Sequence, residues 1–227
     1  MSKSEKARAT VILTKVLLVE DHPIVRQGVR MVVERESDLC ICGETDNAVD
    51  ALVMMAAQKP DVVLIDLSLK DSSGLDLIRQ ASTQFPDLRM VVLSMRDEAL
   101  YAERVLRSGA MGYITKEENP ANVIEGIRTV LRGNIYISGQ MSSKVLSRFA
   151  NSGTGGGRTP FDTLTDRELE IFELIGNGLP TREIAQRLHI SSKTVDSHRE
   201  NIKDKLKCSS ASRLLRQAIH WVQYQEC

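Results

Sequence analysis

Three carboxylates, a hydroxyl and a lysine in this chain each close a short apolar run. "KVLLVE" ends in Glu20 with Asp21 directly after it, "VVLI" runs into Asp66, "RMVVLS" ends in Ser94, and "GYIT" leads from Thr115 to Lys116. Val62–Ile65 is an apolar run suited to a strand buried on both faces. A charge directly after such a run is expensive to bury unless something pairs with it. Asp66 therefore has two readings: it caps the next element, or it is a carboxylate fixed at the reactive end of a parallel strand. Three carboxylates held close repel one another by roughly several kcal/mol unless a cation intervenes. Oxygen-only ligands select a hard ion that keeps some of its water, and Mg2+ fits best. A lysine and a hydroxyl opposite them supply donors for an anion. The set describes an acceptor for a phosphoryl group, with a carboxylate nucleophile, a metal clamp, and donors for the equatorial oxygens.

The elements that must gather these residues are legible in the patterning. From Lys15 to about Gly133, strand-like runs alternate with amphipathic segments. "KVLLVE" is followed by "HPIVRQGVRMVVERE", where Pro23 sits near the first turn and Val25, Val29, Val32 and Val33 recur at helical spacing. "LCICGE" precedes "NAVDALVMMAAQK", "DVVLIDL" precedes "GLDLIRQAS", and "RMVVLS" precedes "DEALYAERVLRSG", with Gly109 as a C-terminal stop. "GYIT" and "PANVIEGIRTVLRG" complete five strand–helix pairs. Strict alternation implies an α/β fold, a five-stranded parallel sheet doubly wound with helices on both faces, and ligands bind such sheets at the carboxyl ends of the strands.

The pattern then lapses. "NIYISGQMSSKVLSRFANSGTGGGRTP" offers a short helix around Ser143–Ala150 and a glycine-rich run. That run lacks the lysine and the preceding strand of a phosphate-binding loop, and reads as a linker. From about Phe161 four helices follow with short connections, a small all-α domain. "LTDRELEIFELIGNG" opens with Thr165 and Glu168 at capping-box spacing; "TREIAQRLHI" starts after Pro180; "SSKTVDSHRENIKDKLK" is capped by Ser191 or Ser192, and "SASRLLRQAIHWVQY" by Ser209 or Ser210. The expected boundaries are a tail at 1–14, the sheet domain at 15–133, a linker at 134–160 and the helical domain at 161–227.

Composition excludes little. Lysine plus arginine and aspartate plus glutamate are both 30 in 227 residues, so net charge identifies no partner. From Arg158 onward there are 11 basic and 10 acidic residues, so any nucleic-acid surface is a local patch. Cys40, Cys42, Cys208 and Cys227 form no CxxC pair, which weakens zinc and redox readings and suits free thiols in a reducing compartment. No apolar run reaches the roughly 18–20 residues of a membrane span, and a cytoplasmic location is expected.

In "SSKTVDSHRENIKDKL", Val195, His198, Ile202 and Leu206 share one face, which packs inward. The other face carries Lys193, Asp196, Ser197, Glu200, Lys203 and Asp204. It is a solvated face or a nucleic-acid surface. The hydroxyls of Ser191, Ser192 and Thr194 at the helix start suit a phosphate, and Lys203, Lys205 and Lys207 place positive charge along the later turns.

With "DLSLKDSSG" after the third strand and "SGAMGYITK" before the fifth helix, residues 15–133 resemble a bacterial response-regulator receiver domain, which is flavodoxin-like. The resemblance implies that Asp66 is the phospho-acceptor. Asp21, Asp66 and the Ser68 backbone carbonyl would ligate Mg2+, and Glu20 would act through a water. Ser94 and Lys116 would contact the phosphoryl oxygens, and Ser94 and Tyr113 would be switch residues, Tyr113 turning inward on activation. "LTDRELEIFELIGNGLPTREIAQRLHISSKTVDSHRENIKDKL" is similar to the LuxR-type helix-turn-helix domain, so the whole resembles a NarL/FixJ-type response regulator. That implies a partner histidine kinase, double-stranded DNA read as paired half-sites, and a homodimer when active. Asp196, Ser197 and Glu200 would face base edges, and Lys193, Thr194, Arg199 and Lys203 would face phosphates.

Structural alternatives stand beside each assignment. Glu20, Asp21 and Ser94 could cap helices, Lys116 could be solvated, and Tyr113 simply packed. Lys70, Met95 and Glu117 depart from the commonest receiver pattern: Lys70 suggests a looser loop, Met95 restricted access to the acceptor, and Glu117 an uncertain peptide geometry after Lys116. Leu214, Leu215, Ala218 and Trp221 suit either a dimer interface or the helical domain's own core. Two other classes compete with the regulator. A phosphatase on a similar sheet wants an acid two residues after the nucleophile, where this chain has Ser68. A phosphate-independent DNA-binding protein would keep the receiver only for dimerisation.

Overall fold

In the computed structural model, which describes residues 13–69, 73–96, 98–139, 141–143, 160–188 and 190–223, the apolar runs become one sheet. Strands β1 (Thr14–Val19), β2 (Leu39–Thr45), β3 (Val62–Ile65), β4 (Arg89–Ser94) and β5 (Gly112–Thr115) alternate with helices α1 (Pro23–Val33), α2 (Ala48–Gln58), α3 (Gly74–Gln84), α4 (Glu98–Arg107) and α5 (Ala121–Leu131). All pairings are parallel, in the order β2-β1-β3-β4-β5. β3 lands on the opposite side of β1 from β2, so the winding reverses between β1 and β3 and opens a crevice at their carboxyl ends.

Period-two alternation sorts the strand side chains into two layers. Val16, Leu18, Val62, Leu64, Val91 and Leu93 pack against α1 and α5. Leu17, Val19, Val63, Ile65 and Val92 pack against α2, α3 and α4, in a cluster that continues into the helical domain. α1 begins with Pro at its first turn, and the segment after α4 turns at Gly109 with φ +109°. Burial on both faces accounts for the uninterrupted apolar runs.

The chain past α5 stays on the sheet. Tyr136 forms a parallel bridge with Gly112, its N–H donating to the Met111 carbonyl and its carbonyl accepting from the Tyr113 N–H. Periodicity gave no hint of this, because a one-residue bridge has none. Gly139 and residues 141–143 are helical. The rest of the expected helix and the glycine-rich run lie outside the described residues.

A 3-10 turn at Pro160–Thr163 leads into α6 (Asp166–Gly176), α7 (Thr181–Arg187), α8 (Ser192–Lys205) and α9 (Ala211–Gln223). Thr165 and Glu168 form the expected capping box, Ser191 caps α8, and Ser210 Oγ accepts from the Arg213 N–H. Phe161, Phe172 and Trp221 meet with ring centroids 5.5–5.9 Å apart. Leu214, Ala218 and Trp221 are buried in this domain's own core, and Leu215 is exposed. Among the described residues no helix is long and apolar enough to cross a membrane.

One glycine joins fold to site. A Cβ on Gly74, the first residue of α3, would stand 2.3 Å from the Asp66 carbonyl oxygen and 2.7 Å from Leu67 Cα. Both are backbone atoms that cannot rotate away. Gly74→Ala is expected to destabilise the sheet domain by about 1–3 kcal/mol, read as a lower urea midpoint with an unchanged slope.

Candidate acidic site and helix-turn-helix face

The crevice collects the residues that close the strands. The Asp66 N–H donates to the Val19 carbonyl, the Glu20 N–H to the Thr45 carbonyl, and the Lys116 N–H to the Ser94 carbonyl. Each site residue is thus the next rung of a sheet ladder, fixed by backbone bonds. Glu20, Asp66 and Ser94 are buried, at 0%, 2% and 0% exposure. Lys116 Nζ lies 2.7 Å from Glu20 Oε2 and 2.8 Å from Asp66 Oδ2. Asp66 Oδ1 accepts from the Ser68 N–H at 3.1 Å. His22 completes the cluster, its Nδ1 2.6 Å from Asp21 Oδ1, and Glu20, Asp21, His22 and Asp66 each bring one ligand atom within 4.8 Å of the others.

The capping alternatives describe only part of these side chains: Glu20 Oε1 accepts from the His22 N–H at the start of α1 at 3.0 Å, while its Oε2 faces Lys116. α1 is capped by His22, without a side-chain cap bond. α3 starts after Ser73, well beyond Asp66. Ser94 Oγ accepts from the Arg96 N–H at 3.1 Å rather than from α4. Tyr113 is 0% exposed and its hydroxyl donates to the Arg96 carbonyl at 2.7 Å, so it is already turned inward here. Met95 is 64% exposed, since the strand ends at Ser94 and burial of Ser94 turns its neighbour to solvent. The described residues contain no cis peptide, so Lys116 and Glu117 are joined in trans. Lys70 lies outside the described residues.

Burial raises the pKa of the Glu20 carboxyl above its ordinary value, and the Asp66 charge adds to this, against the opposing pull of Lys116. Glu20 Oε2 and Asp21 Oδ1 are buried without a directed hydrogen-bond donor. The short contacts to Lys116 and His22 are therefore charge proximity rather than aligned hydrogen bonds.

In the helical domain, α7 and α8 pack against each other. Val195, Ile202 and Leu206 are buried with His198 half-buried beside them, while Lys193, Thr194, Asp196, Ser197 and Glu200 are exposed and Arg199 and Lys203 half-buried. Lys203 Nζ pairs with Glu200 at 2.7 Å. Thr181 Oγ1 lies 3.5 Å from both Asp196 Oδ1 and Arg199 Nη1.

Two family profiles match this chain: the response regulator receiver domain over residues 16–128 and the bacterial regulatory proteins of the luxR family over residues 162–218. The oxygen regulatory protein NreC of Staphylococcus carnosus is 35% identical over 209 residues, 90% of this chain and 96% of the relative. The chain belongs to the LuxR-type response regulators. Among solved structures, RcsB from Salmonella enterica serovar Typhimurium, bound to promoter rprA in the presence of phosphomimetic BeF3-, is similar with 25% identity, a TM-score of 0.62, and coverage of 90% of this chain and 97% of that one. A LuxR-family two-component response regulator from Aurantimonas sp. SI85-9A1 has 28% identity and a TM-score of 0.57, covering 61% of this chain and 99% of that one.

The protein is thus a two-component response regulator with a DNA-binding domain: a transcription regulator controlled by phosphorylation, and not an enzyme. Receiver domains generally bind Mg2+ at an acidic pocket, and Glu20, Asp21 and Asp66 form an acidic cluster here.

Sequence reasoning missed a set of side chains that join the regulator's two domains. Arg96 Nη2 bonds Glu170 Oε1 at 2.8 Å and Nη1 bonds the Tyr101 hydroxyl at 2.8 Å. Tyr101 donates to Glu173 Oε2 at 2.8 Å. Arg104 Nη1 reaches Asp166 Oδ1 at 2.9 Å and the Leu164 carbonyl at 2.8 Å, and Arg79 also pairs with Asp166. The signal was present as the spacing of Asp166, Glu170 and Glu173 on one face of α6, but an acidic helix face looks solvated until a partner is placed on it. Burial disfavours the Arg96 charge, yet Tyr101, Glu173 and Glu170 outweigh it and the guanidinium pKa is raised.

The raised Glu20 pKa sets a pH dependence. A carboxyl whose folded pKa exceeds its unfolded value favours folding below the unfolded pKa, and that stability is lost as pH rises through the folded pKa. In chelator-treated protein, Glu20→Gln is expected to raise the urea midpoint relative to wild type, with a gap that widens from pH 4 to pH 7.

Proposed function

We propose that Asp66 accepts a phosphoryl group from the phosphohistidine of a partner kinase. One observation carries this: a carboxylate 2% exposed, fixed by the β1–β3 ladder, with a lysine ammonium 2.8 Å away at the mouth of the switch-point crevice. The Asp66 carboxylate oxygen forms a bond to phosphorus as the phosphorus–nitrogen bond of the donor breaks, and the imidazole leaves. Ser94 and Lys116 then hold the phosphoryl oxygens. The donor set fits Mg2+: oxygens dominate, and two buried carboxylate oxygens lack a directed donor. Asp21, Asp66 and the Ser68 carbonyl would hold the ion, and Glu20 would reach it through water. When bound, it would supply positive charge against the carboxylates and the incoming phosphate.

At the other end, α8 is the helix read into the major groove. Asp196, Ser197 and Glu200 are assigned to base edges and Lys193, Thr194, Arg199 and Lys203 to phosphates, supported by the exposure of five of the seven and half-burial of Arg199 and Lys203. One small domain offers few contacts, so two copies on paired half-sites are proposed for the active form. RcsB, a similar protein, is solved as two dimers bound to two parallel DNAs. A regulator reading DNA in this way works in the cytoplasm.

Incubation with Mg2+ and acetyl phosphate is expected to add one phosphoryl mass to wild type and none to Asp66→Asn, by intact mass spectrometry. An adduct of equal yield on the variant sinks the assignment. For DNA, Lys203→Ala is expected to weaken binding evenly across sequences and to flatten the slope of log K against log salt by about 1. A change confined to one base position would instead make Lys203 a base-reading residue.

A further inference from the structure

His22 stands between the acids of the pocket and the first turn of α1. A proline pushes the residue before it into extended backbone, and His22, followed by Pro23, has φ −85° and ψ 112°. It occupies the N-cap of α1, but its side chain makes no capping bond. Its backbone N–H donates to Glu20 Oε1 at 3.0 Å, which pins the residue to the pocket. The ring then reaches toward the acids: Nδ1 lies 2.6 Å from Asp21 Oδ1 and 3.3 Å from Glu20 Oε1. The rest of the side chain is open to solvent, 63% exposed.

The imidazole shares the space of the three carboxylates, since Glu20, Asp21, His22 and Asp66 each bring one ligand atom within 4.8 Å of the others. Asp21 Oδ1 and the fully buried Glu20 Oε2 have no directed hydrogen-bond donor. The ring is therefore close to Asp21 without serving it as a donor, and a cation between the two would draw on both. A ligating histidine commonly gives its other ring N–H to a carboxylate, a carbonyl or water, and the exposure of this ring leaves water for that role. The nitrogen also separates one ion from another. Mg2+ takes oxygens and gives up water reluctantly, so an imidazole adds little to its hold. Zn2+, Fe2+ and Ni2+ accept imidazole readily.

We propose that His22 Nδ1 is a ligand for a divalent ion in this pocket, and that it makes the pocket favour nitrogen-accepting transition-metal ions, Zn2+ among them, over Mg2+. This rests on the reading of Asp21, Asp66 and the Ser68 carbonyl as the oxygen ligands. Together with the imidazole they form a set of four protein donors, mixed in nitrogen and oxygen as Zn2+ accepts. Mg2+ needs only the oxygens and leaves the ring to solvent. Both ions bring the same charge, so neutralisation of the carboxylates is common to them; the strength of the hold is what His22 sets.

The test uses the full chain after chelator treatment, with Mg2+ or Zn2+ alone and no phosphoryl donor, comparing wild type, His22→Ala and Asp66→Asn. Calorimetric titration is expected to show wild type binding Zn2+ more tightly than Mg2+. His22→Ala is expected to lose at least about tenfold in Zn2+ affinity, the loss common when even an outer partner of a metal ligand is removed, with Mg2+ affinity unchanged. Asp66→Asn is expected to weaken both ions, which ties the Zn2+ site to this pocket rather than to another histidine. In nitrogen NMR of histidine-labelled protein, one Nδ1 resonance, missing from His22→Ala, is expected to move with Zn2+ and to stay in place with Mg2+. His22→Asn keeps a good N-cap residue for α1 and serves if His22→Ala fails to fold, with the same loss expected. Equal weakening of both ions in the His22 variants, a His22 resonance that Zn2+ leaves in place, or Zn2+ binding that survives Asp66→Asn overturns the proposal while Asp66 stands as acceptor. Wild type that binds neither ion removes the oxygen pocket along with it.

Discussion

One ammonium group holds the reactive end of this regulator together. Lys116 Nζ stands between Glu20 and Asp66 at 2.7 and 2.8 Å, and all three side chains are at most 5% exposed. Two buried carboxylates facing each other without a cation would drive one of them to protonate. Lys116 opposes that pressure on Glu20, although burial and the Asp66 charge still leave the Glu20 pKa raised. Removing the lysine from such a buried set typically costs about 3–5 kcal/mol, because the two carboxylates are left uncompensated. The backbone ladders that carry Asp66, Glu20 and Lys116 past their strands hold the three groups at these distances.

The same rigidity gives the site its reach. Ser94 and Tyr113 sit on neighbouring strands, and both are tied to the backbone of Arg96. Sheet side chains in the α2–α4 layer belong to the cluster that continues into the helical domain. Hydrogen bonds in direct succession thus run from Ser94 and Tyr113 through Arg96 to Glu170 on α6. Asp166 anchors the same helix through Arg79 and Arg104. The interdomain contact therefore combines shielded ion pairs with apolar packing.

The competing functional classes are separated by particular residues. A hydrolase on this sheet wants an acid where Ser68 stands, and Ser68 offers Asp66 only its backbone N–H in this geometry. A receiver retained for dimerisation alone has no need of a lysine shared between two buried acids. Membership of the LuxR-type response regulators, carried by a relative matched over 90% of the chain, agrees with that chemistry.

The sheet, its order of elements and the acidic site were legible in the residues. Runs such as Val62–Ile65 can be buried only in the middle of a two-layered sheet, and the parallel arrangement brings their carboxyl ends to one edge. The capping box at Thr165 and Glu168 was legible for the same reason: it is local, and its hydrogen bonds span three residues. Tertiary structure alone decided the rest. The Tyr136 bridge, the exposure of Met95, the assignment of Leu214, Ala218 and Trp221 to the domain's own core, and the meeting of Arg96 with Glu170 and Glu173 all depend on neighbours far away in the chain. Arg96 and Glu170 are 74 residues apart, and each taken alone reads as an ordinary solvated charge. Periodicity and spacing report what a segment does with itself; which buried charge finds which partner is settled only when the domains close on each other.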